Sequence, residues 1–329
     1  MKSISLALLL LFNVNALVYG ATDVAYDKEL SQFPYPFPVH EFQLASQNQT
    51  LTMGYMDIGA RDAQNVVVLL HGKNFSGYYW ERVAKALQQR GTRVIIPDQI
   101  GFGKSTKPKA YQYSFSQLAL NTHLLLKHLK IHRYSLVGHS MGGMLSIAMA
   151  HQYHSDIKQL VLINPIGLEN YGDYAEFKDV NFFYERELNK TVNKARKYQQ
   201  KNYYDGKWSD AYEALLTPLK GMLNGPDWPI IAWNNALTYQ PIFSENIAAK
   251  LDSITTKTYL IIGTRDRTGP GRGWKKEGIT HQLGQYQSLG KRAHQQLKHS
   301  ELFELHGIGH MPHYEDYSAF SKVFFPIFE

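Results

Sequence analysis

Six short runs of β-branched and aliphatic residues constrain this chain most: Val66 to Leu70, Val94 to Pro97, Tyr134 to Val137, Leu160 to Asn164, Tyr259 to Gly263 and Leu302 to Leu305. Runs this short and this apolar lack the polar alternation of a strand with one wet face, so each must be buried on both faces. Stretches with helical spacing, such as Tyr79 to Arg90, Phe115 to Leu129 and Met141 to Tyr153, separate most of them. Strands and helices in that order predict an α/β fold: a mostly parallel central sheet flanked by helices. Upstream, Val39 to Asp57 alternates partially and breaks at Ser46-Gln-Asn-Gln-Thr50, which predicts an antiparallel hairpin at one sheet edge.

The rhythm fails once, between Pro165 and about Lys250, where aromatic and basic residues dominate and Pro218, Pro226, Pro229 and Pro241 interrupt helical segments. This reads as a helical insertion within one domain. The expected division is residues 39–165 and 251–329 for the core, 166–250 for the insertion and 21–38 for an N-terminal extension. Residues 1–20 carry Lys2, an apolar run from Ile4 to Phe12 and small residues before Ala21, the pattern of a signal peptide. The run is shorter than the roughly 20 residues a membrane span needs. A secreted or periplasmic protein is therefore expected, with no stable membrane insertion after cleavage. With no cysteine in the chain, disulfides, a thiol nucleophile and a zinc-thiolate site are excluded. The net charge of +7 is spread over clusters (Lys194 to Lys207, Arg265 to Lys276, Lys291 to Lys298) without a nucleic-acid signature, so solvated surface is expected and nucleic acid is not a partner.

The stretch Leu136-Val-Gly-His-Ser-Met-Gly-Gly-Met144 places one serine where a strand turns at once into a helix. Such a turn strains the serine backbone, and side chains at Gly138 and Gly142 would collide. The strain projects the Ser140 hydroxyl at the carboxyl end of a strand, where ligands of open α/β sheets bind. A helix starting at Met141 aims free N–H groups at the same point, suited to a developing oxyanion. Serine needs a base, and the base an orienting acid. Asp266 follows one late strand in Leu260-Ile-Ile-Gly-Thr-Arg-Asp266, and His310 sits in a glycine-flanked loop after the last. The His71-Gly72 turn can offer the Lys73 backbone N–H as a second oxyanion donor beside that of Met141.

Together the His71-Gly72 turn, Asp98-x-x-Gly101-x-Gly103-x-Ser105, the elbow at Ser140, the late Asp266 and Gly307-x-Gly309-His310 resemble the α/β-hydrolase fold family over roughly residues 40–329. The resemblance implies a cap over the active site at Pro165 to about Lys250. It also implies a Ser140–His310–Asp266 triad needing no metal or organic cofactor. The implied activity is hydrolysis of a carboxylic ester with a small to medium apolar acyl group, a small-molecule substrate. Carbon–carbon bond hydrolysis of a β-diketone-like substrate, which similar folds run with the same triad, is the alternative within enzymes; a non-catalytic small-ligand binder is the alternative outside them.

Each residue has a plainer reading. Ser140 could cap a helix, and His313 could stand in for His310, though a surface or supporting role suits it better. Asp252 and Glu169 are rival acids. Lys73 could meet an acidic substrate group or face outward, and Asn74 could line the oxyanion pocket or hold its loop. His71, His139 and Asp98 read as structural. Gly101 to Ser105 is not a phosphate loop, because Asp98 stands where a glycine is needed. His306, His310 and His313 lack the companions of a metal site. Phe182, Phe183, Tyr184, Trp208, Trp228 and Trp233 could wall an acyl pocket. The sequence leaves the oligomeric state open.

Overall fold

The computed structural model describes residues 24–329, so the expected signal peptide lies outside the described residues. The strands are β1 (Val39–Ser46), β2 (Gln49–Ile58), β3 (Val66–Leu70), β4 (Arg93–Pro97), β5 (Tyr134–His139), β6 (Ile157–Ile163), β7 (Thr258–Gly263) and β8 (Ser300–Leu305). They form one sheet in the order β1-β2-β4-β3-β5-β6-β7-β8. β1 and β2 make the antiparallel edge, and β4 through β8 run parallel with β3 between β4 and β5.

The reason for the unbroken apolar runs is visible in the packing. Side chains alternate faces along a strand, and both faces here are dry. Val68, Leu70, Leu136, Leu160 and Leu162 join one core with α2 (Phe115–His128), α3 (Met141–Gln152) and α11 (Tyr286–Gln296). Val67, Leu69, Val137, Val161 and Ile163 join the other with α1 (Glu81–Gln88) and α13 (Tyr317–Phe324). α3 is buried along its whole first ten residues, Met141 to Ala150, as befits the helix beneath the middle of the sheet. The helix expected from Tyr79 begins instead as a 3-10 turn at Gly77–Trp80.

Between β6 and β7 come α4 (Tyr171–Tyr174), α5 (Val180–Leu188), α6 (Val192–Asn202), α7 (Asp210–Ala214), α8 (Thr217–Asn224), α9 (Trp228–Leu237) and α10 (Tyr239–Ser244); α12 (Pro312–Glu315) follows the last strand. One boundary differs from expectation. Residues 267–285, assigned by position to the core, join this helical layer: Lys276 N–H donates to Tyr174 O at 2.8 Å, Glu176 N–H to Trp274 O at 2.9 Å, and the Trp274 ring meets Phe182, Phe183 and Phe243. The N-terminal extension also binds both layers. Tyr26 N–H donates to Gly221 O on α8 at 2.8 Å, and Tyr35 O–H to Asp98 Oδ2 at 2.6 Å.

Candidate active site

Ser140 has φ 57° and ψ −121°, a region that a residue with a side chain occupies only under constraint. The constraint is on both sides of it. Ser140 N–H donates to Ile163 O at 3.2 Å, and its carbonyl accepts from Gly143 and Ile166 at 2.9 and 3.1 Å. A Cβ on Gly138 would stand 2.3 Å from Gly142 O and Ser146 Oγ, and one on Gly142 would stand 2.4 Å from Leu70 O. The two glycines let β5 and α3 close to backbone contact, so the serine alone projects.

Ser140, His310 and Asp266 come together from elements far apart in sequence. The Asp266 carboxylate can only accept, so the proton bridging Asp266 Oδ2 and His310 Nδ1 at 2.6 Å sits on the ring nitrogen. Nε2 is then left to accept from Ser140 Oγ at 3.0 Å. Asp266 is fully buried and takes two further hydrogen bonds, from Thr268 N–H at 2.7 Å and Asn164 Nδ2 at 2.9 Å. Asn164 is itself held across β7, accepting from Gly263 N–H at 2.8 Å. The rival acids lie elsewhere: Glu169 accepts from His281 and from Gly284 N–H, and Asp252 is exposed in a 3-10 turn.

The segments carrying the expected oxyanion donors Lys73 and Met141 both adjoin Ser140. Met141 begins α3, so its N–H has no partner within the helix. A Cβ on Gly72 would lie 3.1 Å from Ser140 Cβ and 3.5 Å from Oγ, which puts the turn carrying Lys73 directly over the serine.

A network that sequence reasoning missed fixes this turn against the histidine loop. His139 Nε2–H donates to His310 O at 2.8 Å, so its Nδ1 accepts from Tyr79 O–H at 3.0 Å, and Tyr79 oxygen accepts from Gly72 N–H at 3.1 Å. Burial, reinforced by His310 and His313 nearby, holds His139 well below its usual range, so it stays neutral and keeps this tautomer. No sequence signal pairs Tyr79 with His139.

The expected supporting residues fall out as follows. His71 Nε2 accepts from Gln99 N–H at 3.0 Å, and Asp98 accepts from Gly77 N–H at 2.6 Å and Lys104 N–H at 2.7 Å, both holding loops. Asn74 donates to Tyr203 O–H oxygen at 2.9 Å, holding the lid rather than the pocket. Lys73 neither faces outward nor lies free: its Nζ donates to Asn235 O at 2.7 Å and Thr238 Oγ1 at 2.8 Å and sits 3.9 Å from the Tyr239 ring centroid. Burial pushes this amine down to about 7, with Glu187 pulling it back up and Lys190 opposing. His313 is not at the surface; it is buried, stacked on Trp80 at 4.9 Å, and burial first, then His310, lowers it to about 3.

The six aromatic residues that could wall a pocket pack within the helical layer. Phe183 stacks on Tyr239 and Phe243, Phe182 meets Trp274, Tyr184 meets Trp233, Trp208 donates to Glu213, and Trp228 packs with Ile231. The ring over the site is Tyr203, just past α6, whose centroid is 4.6 Å from that of His310. Arg265 holds it by donating to Tyr203 O at 3.2 Å while paired with Glu315. Ser140 is consequently only 7% exposed. Among the described residues, no group of three or more His, Cys, Asp or Glu side chains is placed to hold a metal, and no helix is long and apolar enough to cross a membrane.

A family model of the alpha/beta hydrolase fold matches residues 65–317. Among solved structures, a probable hydrolytic enzyme from Pseudomonas aeruginosa PAO1 superposes with a TM-score of 0.88 at 39% identity, over 91% of this chain and 97% of that one. Among curated proteins, cis-3-alkyl-4-alkyloxetan-2-one decarboxylase from Xanthomonas campestris pv. campestris is 36% identical over 122 residues, 35% of this chain and 40% of the relative. The 2-hydroxy-6-oxo-2,4-heptadienoate hydrolase of Pseudomonas putida is 33% identical over 114 residues, 34% of this chain and 40% of the relative. Matches to such curated relatives thus span about 40% of their length.

Proposed function

The chain belongs to the alpha/beta hydrolase fold family, and from that premise we propose that it is a serine hydrolase of carboxylic esters with small to medium apolar acyl groups. The observation that carries the reading is the unbroken hydrogen-bonded chain from Ser140 Oγ through His310 to Asp266. In the proposed reaction Ser140 Oγ attacks the ester carbonyl and its proton passes to His310 Nε2. Asp266 steadies the imidazolium, and the Lys73 and Met141 N–H groups hold the oxyanion. His310 returns the proton to the departing alcohol, water attacks the acyl-enzyme with His310 again as base, and the acid leaves. The enclosure of Ser140 under Tyr203 supports a limited acyl group, since a bulky one would have to displace the Asn74–Tyr203 and Arg265–Tyr203 bonds.

The decisive experiment is hydrolysis of p-nitrophenyl esters from acetate to palmitate by the wild type and Ser140→Ala. Turnover of the short esters that disappears in the variant is expected; a folded wild type inert across the whole series would overturn the ester reading. The similarity to the Pseudomonas putida hydrolase supports a second reading, carbon–carbon cleavage of a β-diketone-like substrate through the same triad. Turnover of such a ketone with no ester turnover would select it. We further propose that residues 1–20 direct export and are removed, which N-terminal sequencing of the protein recovered outside the cytoplasm tests.

A further inference from the structure

The segment between Asp266 and α11 concentrates positive charge that the proposed chemistry does not use. Arg267, Arg272, Lys275 and His281 converge on a surface pocket of about 380 Å³, and no aspartate or glutamate lines it. Three other arginines are neutralised by carboxylates: Arg93 meets Asp57, Arg196 meets Glu213 and Arg265 meets Glu315. Here Arg267, Arg272 and Lys275 are tied only to neutral carbonyls. Arg267 Nη1 donates to Thr264 O and Asp266 O at 3.0 and 2.7 Å, Arg272 Nη2 to Arg267 O and Leu283 O, and Lys275 Nζ to Ile279 O and His281 O at 2.9 and 3.2 Å.

These bonds set the side chains in place without cancelling their charge. Among the described residues, Nε and Nη2 of Arg267 and Nε and Nη1 of Arg272 make no hydrogen bond, so Arg267 keeps one planar fork open and Arg272 keeps two separate donors. The neighbouring carboxylate, Glu169, is occupied by His281 Nε2 at 2.8 Å and Gly284 N–H at 2.7 Å. The loop is also braced from outside, through Trp274 against Phe182 and Phe243. A braced pocket with one open guanidinium fork on Arg267, two further donors on Arg272 and an ammonium matches an anion carrying two or more negative charges on several oxygens.

We propose that this pocket binds a small soluble phosphoryl compound, recognised through its phosphate oxygens by Arg267, Arg272 and Lys275. Neither Ser140 nor His310 lines the pocket, and the proposal does not depend on the ester reading. The test is calorimetric titration of the full chain with inorganic pyrophosphate at physiological ionic strength, alongside the thermal midpoint with and without the anion. One saturable site and a raised midpoint are expected, unchanged in Ser140→Ala. Arg267→Gln should weaken binding about tenfold, one charge-assisted fork being worth roughly that factor, and Arg267→Gln/Arg272→Gln should abolish it. Arg272→Lys, which keeps charge and loses the free Nε and Nη1 donors, should fall between wild type and the double variant. Because Arg272 also braces the loop, Arg267→Gln alone decides the matter should the double variant fail to fold. Absence of saturable binding by the wild type, or undiminished binding by folded Arg267→Gln, would overturn the proposal.

Discussion

Replacing Asp266 with asparagine places an amide in a buried site that presents only donors to it. Thr268 N–H points at one oxygen, and Asn164 Nδ2 and His310 Nδ1–H point at the other. With the new NH2 on the His310 side, the ring can pair with it only by moving its proton to Nε2, which then no longer accepts from Ser140. With the NH2 on the Thr268 side, the tautomer survives but a buried N–H faces another donor. In both orientations the negative charge beside the transient imidazolium is gone. At roughly 4 Å between charge centres and an effective dielectric constant near 20, that attraction is about 4 kcal/mol. Converted at about 1.4 kcal/mol per tenfold, the loss is about a thousandfold, approaching ten-thousandfold if the wrong tautomer prevails. The effect should fall on kcat, because Asp266 is buried beneath the histidine and touches no substrate. The assay is steady-state hydrolysis of the best ester of the series, with near-ultraviolet circular dichroism confirming the fold. Glu169→Gln, which alters the rival acid, should leave kcat within about threefold, since its carboxylate serves His281 and Gly284. A folded Asp266→Asn enzyme retaining more than about a tenth of wild-type kcat would refute the reasoning.

Three further outcomes follow from the packing. Gly142→Ala sets a Cβ 2.4 Å from Leu70 O and 2.8 Å from His71 O, so it should destabilise by about 3 kcal/mol and displace the elbow; an unchanged denaturant midpoint would contradict the close approach. His313→Phe removes two buried ring nitrogens that lack partners and should stabilise by roughly 1 kcal/mol at little cost to kcat; a lower thermal midpoint would mean that the nitrogens are satisfied after all. Lys73→Met tests the buried amine through its pH dependence. The folded amine lies at about 7 against an ordinary 10.5, so between those values the unfolded chain binds more protons and wild-type stability rises with pH. The variant lacks that contribution, so its thermal midpoint should exceed the wild type's by most below pH 7, the gap closing toward 10.5. A gap independent of pH would show that Lys73 does not titrate there.

How much was legible beforehand depends on whether a feature is local. The strands could be located because burial on both faces demands uninterrupted apolar residues, and the hairpin because its alternation breaks at a turn. The elbow could be located because Gly138, Ser140 and Gly142 answer a steric conflict confined to a few consecutive residues. Asp266 and His310 could be named because each directly follows a recognisable strand, and parallel strands bring their carboxyl ends to one edge of the sheet.

What only the tertiary structure decided concerns groups that meet across the chain. Setting the rival Glu169 aside required seeing its carboxylate taken up by His281 and Gly284 while Asp266 meets His310, contacts that no spacing encodes. Tyr79 meets His139, and Tyr203 covers His310, through packing between separate elements. His313 and Lys73 are chemically ordinary surface residues until the fold closes over them, and burial alone then makes one an apolar filler and the other an anchor beneath α9 and α10. Residues 267–285 read as core by their position, but Trp274 finds its apolar partners in the helical layer. A sequence states local conformational preference and the sidedness of each element. Which faces meet is set by the long-range burial those preferences make possible.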